Sequence, residues 1–69
     1  MKYAGQIRSN GSLDYCSPIV ETREEAAAIC FRKRPMAQTC ITMEAHWNET
    51  LNETVPTHHR VQQHKRPQA

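Results

Sequence analysis

Residues 38–47 alternate between apolar and polar side chains, and this pattern restricts the fold more than any other feature of the chain. The apolar positions are Ile41, Met43, Ala45 and Trp47, and the intervening positions are Cys40, Thr42, Glu44 and His46. Because successive side chains of a strand point to opposite faces of its sheet, the pattern predicts a β-strand with one apolar face. We expect that apolar face to pack against a helix and the other face to meet solvent.

A β-hairpin is predicted upstream, over residues 2–16. The dipeptide Asn10-Gly11 favours a tight turn, since both residues tolerate positive φ. On either side of it the chain alternates weakly. The residues expected on the helix side are Tyr3, Gly5, Ile7, Leu13 and Tyr15.

A helix is predicted between the hairpin and the long strand, from Arg23 to about Arg34. Thr22 followed three residues later by Glu25 is a capping box, which satisfies free amides at the start of a helix. The Ala26–Ala28 run favours helix, and Pro35 ends it. The cations in its last turn, Arg32, Lys33 and Arg34, suit the negative end of the helix dipole.

The order strand, strand, helix, strand predicts an α+β fold, a small ββαβ layer with one helix on a three-stranded, mainly antiparallel sheet. Residues 48–55 fit either a short helix or a final edge strand, which would make the sheet four-stranded. We therefore expect a single α+β binding domain over residues 1–55. Residues 56–69 contain one sizeable apolar residue, Val61, and predict a flexible, basic, histidine-containing tail.

Charge and cysteine content narrow the class of protein. The net charge is +2, too small to indicate nucleic-acid or membrane binding by itself. It is unevenly placed, with −1 over residues 1–55 and +3 over residues 56–69. No apolar run approaches the roughly 18 residues of a membrane-spanning helix, and no secretion signal is recognisable. An odd cysteine count, Cys16, Cys30 and Cys40, then predicts reduced thiols in a cytoplasmic protein.

Catalytic and metal sites are not indicated. Cys40 and His46 would share a strand face but lie about 20 Å apart, too far for a nucleophile and its base. The only glycines are Gly5 and Gly11, so no phosphate-binding loop is present. Three tail histidines, His58, His59 and His64, lack a spacing that converges on one ion. The sequence predicts no enzyme, no metal and no cofactor.

The remaining class is a binding protein that occupies a surface of a larger protein or protein–nucleic-acid complex. By analogy with small accessory proteins, the most concrete form is a phage or mobile-element inhibitor of a host defence system. The expected contact residues are basic: Arg8, Arg32, Lys33, Arg34, Arg60, Lys65 and Arg66. Glu44 and His46 are secondary candidates.

Two alternatives remain. One is a direct RNA- or DNA-binding module that uses the same cations. An RNA-binding sheet displays aromatic side chains on its open face, whereas the expected register turns Tyr3, Tyr15 and Trp47 toward the helix. The other alternative is a homodimeric structural or regulatory protein that associates through a free strand edge.

Overall fold

The computed structural model describes residues 1–67, and the end of the predicted tail, residues 68–69, lies outside that range. The strands are β1 (Lys2–Ser9), β2 (Ser12–Cys16), β3 (Thr39–Asn48), β4 (Glu53–Pro56) and β5 (Gln62–Lys65). One helix, α1 (Arg23–Lys33), connects β2 to β3. The α+β class and the order of the first four elements agree with the prediction, but the sheet of the described residues has five strands where three, or four at most, were expected.

β3 is the central strand of the sheet, and every strand pair is antiparallel. β1 pairs along one edge of β3, with Gly5 opposite Thr42, and β2 pairs with the outer edge of β1. β4 and β5 share the other edge of β3, β4 near its end and β5 near its start. Between them, the Thr57 amide donates to the Glu44 carbonyl and the Glu44 amide donates to the His59 carbonyl. Residues 53–65 thus follow almost the full length of β3.

The predicted hairpin is present and its turn has the expected chemistry. Asn10 and Gly11 form a two-residue loop with φ of 53° and 81°, the positive values that match the twist of a hairpin. The register then shifts, since Ile7 pairs with Tyr15 but the next residue of β1 pairs with Leu13. This bulge leaves one extra residue on β2.

The helix begins as predicted and packs unusually close to β1. The Glu25 amide donates to the Thr22 hydroxyl at 3.1 Å, and the helix ends at Lys33. A Cβ added to Gly5 would lie 2.8 Å from the Cys30 sulfur and 3.0 Å from the Ala26 carbonyl oxygen. The absence of a side chain at Gly5 therefore allows the helix to reach the sheet.

The predicted orientation of β3 is wrong. Gly5 faces the helix and Thr42 lies directly opposite it, and opposed residues of paired strands share a face. Thr42 consequently faces the helix, together with its alternate neighbours Cys40 and Glu44. The apolar set turns to the far face, where Trp47 is 58% exposed.

Thr42 can occupy a position that faces the helix because its hydroxyl has hydrogen-bond partners there. The Thr42 hydroxyl accepts from the Arg23 guanidinium at 3.0 Å and lies 2.8 Å from the His64 ring nitrogen. On the far face Ala4 and Met43 are fully buried although no helix of the described chain covers them. We attribute this to the sheet curling over that face. Both faces therefore bury residues, and polarity alone could not identify the helix side.

The prediction of a flexible tail from residue 56 is wrong for residues 62–66. β5 pairs with β3 from Thr39 to Thr42, and the Arg66 amide donates to the Gln38 carbonyl at 2.8 Å. The tail prediction considered only apolar burial. However, the free edge of β3 carries unpaired backbone N–H and C=O groups. A polar segment can form hydrogen bonds with them without burying apolar surface. For residues 48–55, the edge-strand alternative is the observed one.

The Arg66 side chain links β5 to the C-terminal end of the helix through hydrogen bonds and a cation–π contact. Its guanidinium lies 4.7 Å from the centre of the Phe31 ring. It donates to the carbonyls of Phe31 at 3.0 Å, Arg34 at 2.8 Å and Ala37 at 2.6 Å. Carbonyls at a helix C-terminus lack partners within the helix, and a cation there also suits the helix dipole. Arg66 thus acts as a C-terminal cap supplied from a distant part of the chain.

Candidate binding surface

The topology gathers basic residues at one end of the molecule. β1, α1 and β5 all end where β3 begins: Lys65 lies opposite Thr39, and Arg8 and Arg34 line one cavity with Thr39. We call this region the basic end and define it by six cations, Arg8, Arg32, Lys33, Arg34, Lys65 and Arg66. The structure thereby brings together six of the seven cations predicted from the sequence. One carboxylate, Asp14, lies among them and pairs with Arg34.

Most of the acidic residues lie away from the basic end, before or in the first turn of α1, in the second half of β3 and between it and the start of β4, and we call this region the acidic end. Those residues are Glu21, Glu24, Glu25, Glu44, Glu49 and Glu53, accompanied by Lys2, Arg23 and Arg60. The basic end therefore has a formal charge of +5 and the acidic end −3, which together give the net +2 of the chain. Such a separation favours one orientation when the molecule meets a charged surface.

Two cations of the basic end are occupied by contacts inside the molecule. Arg66 forms the cap described above. Arg34 lies 5.0 Å from the centre of the Tyr15 ring, and its Nε is 3.4 Å from the Asp14 carboxylate. Both side chains are thereby held in place, so they contribute positive charge from fixed positions.

Four cations of the basic end remain available. Arg8, Arg32, Lys33 and Lys65 are exposed, and within residues 1–67 none of them forms an ion pair. The one side-chain hydrogen bond among them joins Arg8 to Gln6 at a long 3.5 Å. These four side chains can bind carboxylates or phosphates without first losing a partner.

A cavity of about 340 Å³ lies within the basic end. Its apolar lining includes Ile7, Pro35, Met36 and Ala37, and its polar lining includes Arg8, Asp14 and Arg34. Met36 is 88% exposed, and Leu13, the strand partner of Arg8, is 51% exposed. An apolar centre inside a charged rim is the usual composition of a protein interface. The sequence pattern does not identify Leu13, Pro35 and Met36 as surface candidates, and it indicates Pro35 only as a helix stop.

The other predicted contact residues lie elsewhere and contact each other. Glu44 is 8% exposed. Its carboxylate lies 3.2 Å from the Arg60 Nε and 3.1 Å from the His46 Nε2. These contacts hold the loop between β4 and β5 against β3. The structure therefore separates Arg60, Glu44 and His46 from the basic end.

Two of the three cysteine thiols are buried. Cys30 and Cys40 are buried between helix and sheet, and Cys16 is half-buried. Burial is the main cause that raises the pKa of the Cys30 thiol to about 12, and neighbouring Cys40 and Cys16 add to it. Burial also raises the pKa of Cys40. Neither Cys30 nor Cys40 forms a thiolate near neutral pH, and a thiolate is the form that attacks or binds metal.

Among residues 1–67, no three histidine, cysteine or acidic side chains are grouped so as to hold a metal ion. The same part of the chain has no helix of the length and apolarity needed to span a bilayer. Comparison of the chain with protein-family models, curated proteins and solved structures gives no match.

Proposed function

We propose that the protein is a non-enzymatic binding protein that docks its basic end on an acidic surface of a larger protein or protein–nucleic-acid complex. The observation that carries the proposal is the group of four exposed cations without ion-pair partners, Arg8, Arg32, Lys33 and Lys65, at the end of the molecule that also holds a partly apolar cavity lined by Arg8. The cations come from β1, α1 and β5, so the surface exists only in the folded chain. Charged rims of this kind guide and orient a partner.

A protein carboxylate surface suits the basic end better than bare nucleic acid does. Single-stranded nucleic acid is bound by aromatic side chains that stack on bases. At the basic end Tyr15 lies against Arg34, and Phe31 is buried against Arg66. The exposed Trp47 belongs to the far end of β3. The apolar cavity lining also has no counterpart on a phosphate backbone.

The concrete form of the proposal is a cytoplasmic inhibitor, encoded by a phage or mobile element, that blocks a surface of a host defence complex. Its support is the three unpaired thiols and a surface suited to binding. Unpaired thiols persist in a reducing compartment. The assignment to phage biology rests on analogy with other small accessory proteins.

Affinity capture with matched variants tests the docking surface. The variant R8Q/K65Q removes two available cations from the basic end. The control T50E/L51E changes the net charge by the same −2 on the exposed turn between β3 and β4. We expect wild type and control to retain one partner from the native host, and R8Q/K65Q to lose it. Retention of that partner by R8Q/K65Q at wild-type level would contradict the proposal.

Direct nucleic-acid binding is the second candidate, because four available cations at one end could also contact phosphates. A salt titration with duplex DNA and with single-stranded RNA distinguishes the two. Phosphate binding weakens as salt rises, with a slope that counts the phosphates contacted. Our proposal expects no binding of either nucleic acid by the purified protein at low salt. Binding with a steep slope that R8Q/K65Q reduces would establish the second candidate.

A further inference from the structure

A groove of about 420 Å³ runs along the side of α1 that faces β5. Its walls are the helix residues Ala27, Ala28 and Phe31 and the strand residue His64. The groove exists because α1 packs on β1 and β3 and lies to one side of β5. Glu24 borders it at the start of the helix, and Lys65 borders it at the other end.

Charges along the exposed ridge of α1 are arranged symmetrically. Glu24 and Arg32 each lie four residues from Ala28, so all three follow one ridge of the helix. All three are exposed. In the described part of the chain, neither Glu24 nor Arg32 takes part in an ion pair. The ridge is acidic at one end, basic at the other and apolar between them.

We propose that the occupant of the groove is a second copy of this chain, with the two α1 helices antiparallel across a two-fold axis near Ala28. In that arrangement Glu24 of each copy faces Arg32 of the other, so the same ion pair forms twice. Two-fold contacts of this self-complementary kind are the commonest route to homo-oligomers. The small side chains of Ala27 and Ala28 let the helices approach closely, and the Phe31 ring adds apolar surface beside them.

Sedimentation velocity over a range of protein concentrations tests the dimer. We expect wild type to shift from monomer to dimer between about 10 µM and 1 mM, the affinity range of a small interface. The variant A28R places two like charges at the two-fold axis. Arg suits an exposed helix position, so the variant keeps its fold, checked by circular dichroism. We expect A28R to remain monomeric throughout.

A charge exchange tests the orientation of the helices. E24K alone and R32E alone should each weaken dimerisation by about tenfold or more, since each removes two ion pairs and adds repulsion. The double variant E24K/R32E reverses both partners and should restore dimerisation. Its matched control is E25K/K33E, which makes the same changes at neighbouring positions and so carries the same helix-dipole cost. The control should dimerise like wild type.

Three results would overturn the inference. They are a wild-type protein that stays monomeric to 1 mM, a dimer that A28R leaves intact, and failure of E24K/R32E to dimerise better than either single variant. The dimer variants alter neither Arg8 nor Lys65, so their outcome is measured separately from the partner-capture experiment, even though Lys65 borders the groove.

Discussion

Replacement of Arg66 by alanine should destabilise the whole domain. The substitution removes three hydrogen bonds from a charged donor to the carbonyls of Phe31, Arg34 and Ala37. It also removes the contact of the guanidinium with the Phe31 ring. The helix C-terminus then loses its cap, and β5 loses its link to the helix.

The size of the effect follows from the contacts. A hydrogen bond to a charged group contributes about 1.5–3 kcal/mol when it is well shielded, and a cation–π contact about 0.5–1 kcal/mol. Arg66 is half-buried, so water replaces part of what is lost, and we expect a decrease of about 2–4 kcal/mol. A domain of 69 residues has a total unfolding free energy of about 3–10 kcal/mol. The variant should therefore lose a large part of its stability.

Urea denaturation followed by circular dichroism measures this loss. The control is K65A, which truncates the exposed neighbour and should change the unfolding free energy by less than about 0.5 kcal/mol. R66K should fall between wild type and R66A, because lysine keeps the charge but lacks the planar fork of donors. If R66A were as stable as K65A, the cap would not exist in solution and the reasoning would be refuted.

Three further stability changes follow from other contacts. T22A removes the hydroxyl that accepts from the Glu25 amide and should cost about 1 kcal/mol in a thermal melt; an unchanged melting temperature would contradict the cap. G5A places a Cβ 2.8 Å from the Cys30 sulfur and should cost about 1–3 kcal/mol by urea denaturation; a wild-type unfolding free energy would contradict the close contact of α1 with β1. The pKa of Cys30 is about 12 in the fold and 9.0 in its ordinary state. Because this thiol ionises at a lower pH in the unfolded chain than in the fold, its ionisation favours unfolding above about pH 9. The unfolding free energy should therefore fall from about pH 9 upward, by at most about 1.4 kcal/mol per pH unit. C30A should reduce that slope, and an equal slope in wild type and C30A would show that other groups cause the loss of stability.

Local signals in the sequence were sufficient for the first half of the fold. The Asn10-Gly11 turn, the capping box at Thr22 and the alternation in β3 each depend on residues close together in the chain. Such patterns specify an element without reference to the rest of the molecule. They could not specify which face of β3 meets the helix. That choice depends on Gly5, whose missing side chain admits the helix, and on distant partners for Thr42.

The C-terminal strand was missed for a related reason. Residues 62–66 bury little apolar surface, and they are ordered by backbone bonds to the edge of β3 and by the contacts of Arg66 with the helix end. Both depend on partners more than 20 residues away in sequence. The candidate surface was therefore predicted only as a set of basic residues. Lys65 lies at the same end of the molecule as Arg8 because β5 pairs with β3. No local sequence pattern predicts that pairing.

Hydrogen exchange of the backbone amides, followed by NMR, tests most directly whether the C-terminal segment belongs to the sheet. The Arg66 amide bonds to the Gln38 carbonyl, and the Glu44 amide to the His59 carbonyl. The account predicts that both exchange at least about 100-fold more slowly than in an unstructured chain. The amides of Glu49 and Thr50, in the exposed turn after β3, provide the fast-exchanging reference. An Arg66 amide that exchanges as fast as those two would contradict the pairing of β5, and with it the assembly of the basic end.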